Sequence, residues 1–216
     1  MAAQRTAQQS KAVAAAGFAL LAAVVGLSGC TSTGTTSNSP PPASATGNAA
    51  TPTPRSTEVS PAGDIPDNQA FVPFLSPDGT FSVAVPEGWA QSQSGAIITF
   101  ADKLNVITVV TQSASAAPTV TSVTNGEVVS LRASEAKFFL TDVKSFSRAG
   151  GSGVLITFQS DSAVNQVTGS VVRNEVEQYL FWKGGKQVTV TLTSPKGSDN
   201  VDPWAKVTGS FVWLAK

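Results

Sequence analysis

Apolar and polar residues alternate along much of this chain, and this period of two restricts the fold more than any other feature of the sequence. In Phe81–Val85 and again in Val188–Thr193, every second residue is large and apolar. Successive side chains of a β-strand point to opposite faces, so the pattern predicts strands with one face in the core and one toward solvent. Sheets that leave one face to solvent are typically antiparallel, and we therefore expect antiparallel strands.

Two short turns predict how these strands connect. Lys183–Lys186 contains two glycines and separates the apolar segment Tyr179–Trp182 from the strand that begins at Gln187. Glycine tolerates positive φ at little cost, which favours a tight hairpin. Asp102 and Lys103 separate two further strand-like segments in the same way.

Two helices are predicted between the strands. Thr124 and Glu127 have the spacing of a capping box, and the apolar residues that follow predict a helix to about Ser134. A second helix is predicted from an Asp202-Pro203 cap to Gly209, with Trp204 and Val207 on its buried face. The expected fold class is therefore α+β.

The first 30 residues predict export and lipidation. Arg5 and Lys11 precede an apolar run, which ends in Leu27-Ser28-Gly29-Cys30. The run is shorter than a membrane span and is followed by small residues, as in a cleavable signal peptide with a lipobox. We expect residues 1–29 to be removed and Cys30 to receive a lipid that tethers the chain to the extracytoplasmic face of the membrane.

The composition beyond Cys30 predicts a tether followed by one domain. Residues 30–67 are rich in Ser, Thr, Pro, Gly and Ala and show no apolar periodicity, which is typical of a disordered segment. The same composition fits an O-glycosylated stalk or a plain spacer. Residues 68–216 have the length of a single domain.

The charge balance argues against a nucleic-acid partner. Removing the leader takes away two of the 14 basic residues and none of the 14 acidic ones. A protein that binds phosphate backbones needs a basic patch, and the sequence contains no cluster of Lys and Arg.

Particular segments resemble a known family. Phe81–Trp89, a strand that runs into a Pro-x-Gly-Trp turn, resembles the opening of PsbP-like domains, and the segments from Val188 to Trp213 resemble their ending. The layout is similar to the actinobacterial LpqN/LpqT lipoproteins. The resemblance implies a central antiparallel sheet of about six strands with helices on both faces, and a role in binding or assembly rather than catalysis.

The residue types present leave little room for catalysis. The chain has no histidine, which excludes Ser-His-Asp triads and most zinc sites, and its only cysteine is the predicted lipid acceptor. Ser134-x-x-Lys137 followed by Ser198-Asp199-Asn200 resembles motifs of penicillin-recognising enzymes, but the third motif of that group, Lys-Thr-Gly, does not follow.

Two acidic groups could carry other chemistry. Glu175 and Glu177 could form a glycosidase pair or lie on a solvated strand face, and we favour the solvated face. The acidic segment 199–202 could hold calcium, but it lacks the remaining ligands and the glycine of a calcium loop. Helix capping is the preferred interpretation of that segment.

We therefore expect a non-catalytic domain that binds an envelope protein or a small hydrophobic ligand, without a cofactor or metal. The rival hypothesis is an envelope hydrolase that uses carboxylates or serine. Three of the four tryptophans lie in patterned segments and are expected in the core. Trp89 follows a turn at a strand end, and we predict that it forms a binding rim with the loop of residues 160–169.

Overall fold

The structure is a computed structural model that describes residues 63–215. The predicted leader, Cys30 and most of the predicted tether lie outside these residues. The described elements, in chain order, are β1 Phe71–Leu75, β2 Phe81–Pro86, β3 Ala90–Ser94, β4 Ile97–Asp102, β5 Asn105–Ser113, α1 Val120–Asn125, α2 Glu127–Ser134, β6 Phe139–Arg148, β7 Gly151–Asp161, β8 Arg173–Lys183, β9 Lys186–Pro195, α3 Val201–Ser210 and β10 Val212–Trp213.

The strands form two antiparallel sheets. The large sheet has seven strands in the order β3-β4-β5-β9-β8-β7-β6, and the small sheet has the order β1-β2-β10. The prediction of an α+β fold with antiparallel strands is confirmed. The large sheet has one strand more than the six expected, and β2, the strand predicted from Phe81–Val85, belongs to the separate small sheet.

Both predicted hairpins are present. Lys183 pairs with Lys186 across the Gly184-Gly185 turn, and both glycines have positive φ. Asp102 pairs with Asn105 at the other turn, where Lys103 has φ 52°. These turns place β4, β5, β8 and β9 side by side in the large sheet.

The two faces of the large sheet carry two separate cores. On one face, β2 and α3 pack over the sheet, and we call it the covered face. Its centre is a stack of three buried rings, with centroids 5.4 Å apart for Phe81 and Phe211 and 4.0 Å apart for Phe181 and Phe211. Trp204 and Val207 of α3 are buried in this core, as predicted.

The opposite face is covered over only part of its width. Val123 of α1 and Val128 of α2 form a core with apolar residues of β7 and β8, and side chains of β6 pack against it. Helices therefore lie on both faces, in agreement with the prediction. The face of β4, β5 and β9 on this side bears half-buried residues such as Thr99, Thr108 and Thr191, and we call it the open face.

The helix starts differ from the predicted ones. Thr124 lies inside α1, where its hydroxyl donates to the Val120 carbonyl, and the capping box is formed by Thr119 and Ser122. The helix pattern therefore begins one turn earlier than expected and breaks at Gly126. Asn200, rather than Asp202, is the N-cap residue of α3, and its side chain does not cap the helix.

Asn200 instead fastens the segment before β1 to the domain. Its side chain accepts a hydrogen bond from the Ile65 N–H at 2.7 Å and donates to the Gly63 carbonyl at 2.9 Å and to Asn105 Oδ1 at 3.1 Å. Ile65 is buried in the main core. The packed region thus begins before residue 68, the predicted start of the domain, because a buried apolar side chain and a buried amide hold these residues in place.

Candidate functional site

Trp89 packs against the covered core. It is half-buried between β2 and β3, and its ring lies edge-on to that of Trp204, with centroids 6.3 Å apart. The loop of residues 160–169 connects β7 to β8, and three strands, β4, β5 and β9, lie between β3 and β8. The structure does not bring the two parts of the predicted rim side by side, and a binding role for Trp89 stays a prediction.

The loop instead borders a groove on the other side of the sheet. The space between the α1–α2 pair and the large sheet, which we call the α2 groove, contains two cavities. The cavity next to the loop has a volume of about 370 Å³ and is lined by Leu131, Glu135 and residues 160–163. The cavity at the other end has a volume of about 480 Å³ and is lined by residues 114–119 and Glu127.

On the sheet side, the cavity next to the loop is lined mainly by uncharged polar side chains, together with the apolar Phe158 and Val176. Thr108, Thr191 and Thr193 line it together with Asn174 and Gln178. Alternation explains this arrangement, because the residues directly before and after Thr108 on β5 and Thr191 on β9 are buried in the core of the covered face. The outward threonines of Val188–Thr193 are visible in the sequence, but the sequence does not show which outward face a helix leaves uncovered.

Gln178 lines the cavity next to the loop, and its hydrogen-bond partner lines the other cavity. Its Nε2 donates to Glu127 Oε1 at 3.3 Å, which joins the sheet to the start of α2. The residue is only 8% exposed, and its Oε1 has no hydrogen-bond partner among residues 63–215. A buried carbonyl oxygen without a donor is costly, so an N–H or O–H group that reached it would be favoured.

An ion-pair network fixes the loop end of the groove. Asp161 accepts from Lys137 at 3.0 Å and from Arg173 at 3.1 Å, and Arg173 also donates to the Lys137 carbonyl at 2.8 Å. Hydrogen bonds from Lys137 and then Arg173 lower the pKa of Asp161. The first residues of the loop are therefore held against the end of α2.

A second and smaller groove lies on the covered face. It has a volume of about 230 Å³ and lies between α3, which contributes Val201 and Trp204, and the sheet, which contributes Thr157, Glu175 and Glu177. We call it the α3 groove.

Both glutamates of the α3 groove have hydrogen-bond partners. Glu175 accepts from Gln159 Nε2 at 3.4 Å, and Glu177 accepts from the Tyr179 hydroxyl at 2.8 Å. Burial, and then the charge of Glu177, raise the pKa of Tyr179 to about 12. The glutamates line a groove rather than an open solvated face, and they are engaged with neutral partners.

The other chemical motifs do not form a recognisable site. Ser134 ends α2 and donates to the Ser130 carbonyl at 3.1 Å, while Lys137 lies beyond the helix and pairs with Asp161. A Ser-x-x-Lys motif needs its lysine one helical turn from the serine, and here the helix has ended. Within residues 63–215, no three His, Cys, Asp or Glu side chains lie close enough to hold a metal ion.

The same range contains no helix with the length and apolar character needed to span a membrane. Comparison with known proteins gives matches among solved structures only: no protein-family model and no curated protein matches this chain.

Three of the similar structures come from different bacteria. A protein from Bacteroides thetaiotaomicron VPI-5482 is 15% identical over 67% of this chain, which spans 48% of that protein, about half its length, with a TM-score of 0.41. Cyanobacterial PsbP from Synechocystis sp. PCC 6803 is 14% identical, with 73% of this chain and 96% of that one covered and a TM-score of 0.49.

LpqN of Mycobacterium tuberculosis, which is described as involved in cell envelope biogenesis, is 13% identical, with 69% of this chain and 93% of LpqN covered and a TM-score of 0.40. A PsbP and LpqN, representatives of the two groups that the sequence resembles, are thus both among the solved structures similar to this chain.

Proposed function

We propose that this chain is a lipid-anchored lipoprotein of the cell envelope whose domain binds an envelope protein in the α2 groove, without catalysis. The observation that carries the proposal is the partial cover of the large sheet, which leaves a long groove beside α1 and α2. Its cavities of about 370 and 480 Å³ fall within the roughly 300–1,000 Å³ typical of binding sites.

The lining of the α2 groove favours a protein segment over a hydrophobic ligand. Threonine hydroxyls and the amide of Asn174 can donate and accept hydrogen bonds, as the backbone of an extended segment requires. No Lys or Arg lines either cavity, whereas Glu127 and Glu135 do. We therefore expect a partner segment that presents N–H donors and is neutral or basic.

Groove-filling variants test this assignment. Thr191 lies on the floor of the α2 groove and Thr157 lies on the opposite face, in the α3 groove, and both are half-buried. Cells that carry the full chain are treated with a crosslinker, and its adducts are identified by mass spectrometry. We expect Thr191→Arg to reduce the adduct with the partner at least about tenfold and Thr157→Arg to leave it unchanged. The reverse pattern would contradict the α2 groove as the site.

The anchor is proposed from the leader sequence alone. Replacing Cys30 by Ser removes the only thiol that could accept diacylglycerol. We expect loss of palmitate label and release of the protein from the membrane fraction, because the lipid on Cys30 is the proposed attachment. Unchanged retention in the membrane would reject the proposed anchor.

The small hydrophobic ligand stays a second candidate, and the α3 groove is where it would bind. Trp204 and the 74% exposed Val201 give this groove an apolar wall. Its volume of about 230 Å³ is below the usual range for a drug-sized ligand, and it better suits one apolar side chain or a short ligand. Thr157→Arg, the control above, would then be the variant that abolishes ligand uptake.

An envelope hydrolase is the rival class. Its serine or carboxylate would need a neighbouring general base, and the candidate groups Ser134, Glu175 and Glu177 each have a structural hydrogen bond instead. We expect no turnover of nitrocefin and no labelling by a fluorophosphonate. Covalent labelling of Ser134 or Ser198 would contradict the non-catalytic proposal.

A further inference from the structure

The two edge strands of the large sheet differ in how well they are protected against pairing with another chain. β6 has a register irregularity between Leu140 and Asp142, and it carries the charged residues Asp142, Lys144 and Arg148. β3 has the sequence Ala-Gln-Ser-Gln-Ser, all five residues are exposed, and its register with β4 is regular. Charges, prolines and bulges are the features that keep an edge strand from pairing with another chain, and β3 has none of them.

The backbone of β3 offers a defined set of free groups. A two-residue turn joins β3 to β4, and Ser94 and Ile97 form the closing pair. Hydrogen-bonded and non-hydrogen-bonded pairs alternate along an antiparallel ladder, so Gln91 and Gln93 direct their N–H and C=O groups away from β4. In the part of the chain that the structure describes, no backbone group pairs with that outer side.

We propose that β3 pairs antiparallel with β3 of a second copy of this chain, about a two-fold axis at Ser92. In this register Ser92 lies opposite Ser92 of the second copy, and Gln91 lies opposite its Gln93. Each of the two Gln91–Gln93 pairs exchanges two backbone hydrogen bonds, which gives four in all and joins the two large sheets. A symmetric contact of this kind closes on itself as a dimer.

The side chains of β3 make a second copy the best partner. A strand that carried charges would place like charges opposite each other in a two-fold pair, and this strand carries none. The two glutamine amides can each donate and accept, so the Gln91–Gln93 pairs are self-complementary. Five residues bury little area, and the pairing is therefore expected to be weak in dilute solution and to form where copies are concentrated on one membrane.

Cysteine trapping in membranes that carry the full chain tests this register. Residues opposite each other in a non-hydrogen-bonded pair have Cα atoms about 4.5 Å apart, which a disulfide can bridge. Ser92→Cys should therefore form a disulfide-linked dimer under mild oxidation. The two Ser94 positions would be offset by four residues, about 14 Å along the strand, so Ser94→Cys should not.

Two controls set the background. Ser147→Cys places an exposed cysteine on the other edge strand, β6, and the parent chain has Cys30 only. We expect Ser92→Cys to crosslink at least about tenfold faster than Ser94→Cys and Ser147→Cys. Equal rates at the three positions, no dimer with Ser92→Cys, or an adduct to a different protein instead would each overturn the proposal.

Charge pairs provide a rescue test in the Ser92→Cys background. Gln91→Lys together with Gln93→Lys places two lysines opposite each other in each pair and should abolish the dimer. Gln91→Lys together with Gln93→Glu places opposite charges there and should restore it. Crosslinking that is equal in the two double variants would contradict the antiparallel register, whatever its rate.

Discussion

The two faces of the large sheet differ in the way they are covered, although the same strands form both. Along β9, the valines 188 and 190 and Leu192 are fully buried against β2 and α3, while the threonines between them point to the open face. One face therefore gains stability from aromatic and aliphatic packing. The other face gives up part of that gain, because half-buried threonines and valines of β5 and β9 remain there without a covering element.

Substitutions in the core of the covered face should cause the largest loss of stability. Phe181 is fully buried, with its ring stacked on that of Phe211 at a centroid distance of 4.0 Å and edge-on to that of Phe146 at 4.9 Å. Phe181→Ala should lower the free energy of unfolding by about 3–5 kcal/mol, because it leaves a cavity among the rings. Thr191→Ala on the open face should cost less than about 1 kcal/mol. Urea denaturation of both variants measures the difference, and equal losses would contradict the contrast between the faces.

A smaller loss of stability is expected when the segment before β1 is detached from the domain. Asn200 is 2% exposed and holds Gly63, Ile65 and Asn105. Asn200→Ala should lower the free energy of unfolding by about 2–3 kcal/mol, because it leaves buried backbone groups without partners.

The neighbouring Asp199 is the matched control. It is exposed, and Asp199→Ala should cost less than about 0.5 kcal/mol. A protein that begins at residue 68 should lose at least as much stability as Asn200→Ala. If it melts like the longer protein, residues 63–67 contribute nothing to the domain.

Substitution of Trp89 tests whether this residue contributes to packing alone or also to binding. Because its ring contacts Trp204 and it is only half-buried, Trp89→Ala should cost about 1–3 kcal/mol of stability. If Trp89 is also the aromatic anchor of a binding rim, partner capture by the folded variant should fall roughly thirtyfold. Melting temperature and capture are measured together, and normal capture by a folded variant would leave Trp89 as packing alone.

The ion pair between Asp78 and Lys186 should make a small, pH-dependent contribution to stability. Asp78 lies in the β1–β2 turn and pairs with Lys186 at the start of β9. The Lys186 ammonium holds the pKa of Asp78 well below its usual range. A carboxyl whose pKa is lowered in the folded state stabilises the fold at pH values above its pKa in the unfolded state, about 3.9. This stabilisation is lost as pH falls below that unfolded-state pKa. The side chains are 41% and 31% exposed, so the effect should stay under about 1 kcal/mol.

Asp78→Asn isolates this contribution. The variant should be less stable than the parent protein near neutral pH, and the difference should shrink as pH falls below about 4, because the unfolded parent chain then takes up a proton at Asp78 while the folded chain does not. Denaturation curves at several pH values measure the difference. A gap between the two proteins that stays constant with pH would contradict the assignment to Asp78.

Much of the fold could be predicted from local patterns. Alternation identified β2 and β9, and paired glycines identified the β8–β9 hairpin, because these signals depend on residues close in sequence. β3 was missed because Ala-Gln-Ser-Gln-Ser has no apolar alternation, and it forms a strand only by pairing with β4. The capping box was misplaced because Thr124 has the correct spacing, although Thr119 starts the helix.

The candidate site was only partly predictable, because it depends on contacts between distant residues. The loop that begins at Ser160 was expected to border a binding site, and its first residues line the α2 groove. Gln178 was not singled out, since its partner Glu127 is 51 residues away. The sequence shows the outward threonines, and only the packing of the helices shows that Thr189 is buried while Thr191 and Thr193 stay half-buried.

Photo-crosslinking from the two faces shows whether the partner binds in the α2 groove or in the α3 groove. A photoreactive amino acid is placed at Thr191 on the floor of the α2 groove, or at Thr157 in the α3 groove, in the full chain in living cells. We expect one discrete adduct with an envelope protein from position 191, and we expect it to be lost when Glu127→Lys and Glu135→Lys reverse the charge of the groove wall. An adduct from position 157 and none from 191 would contradict this expectation.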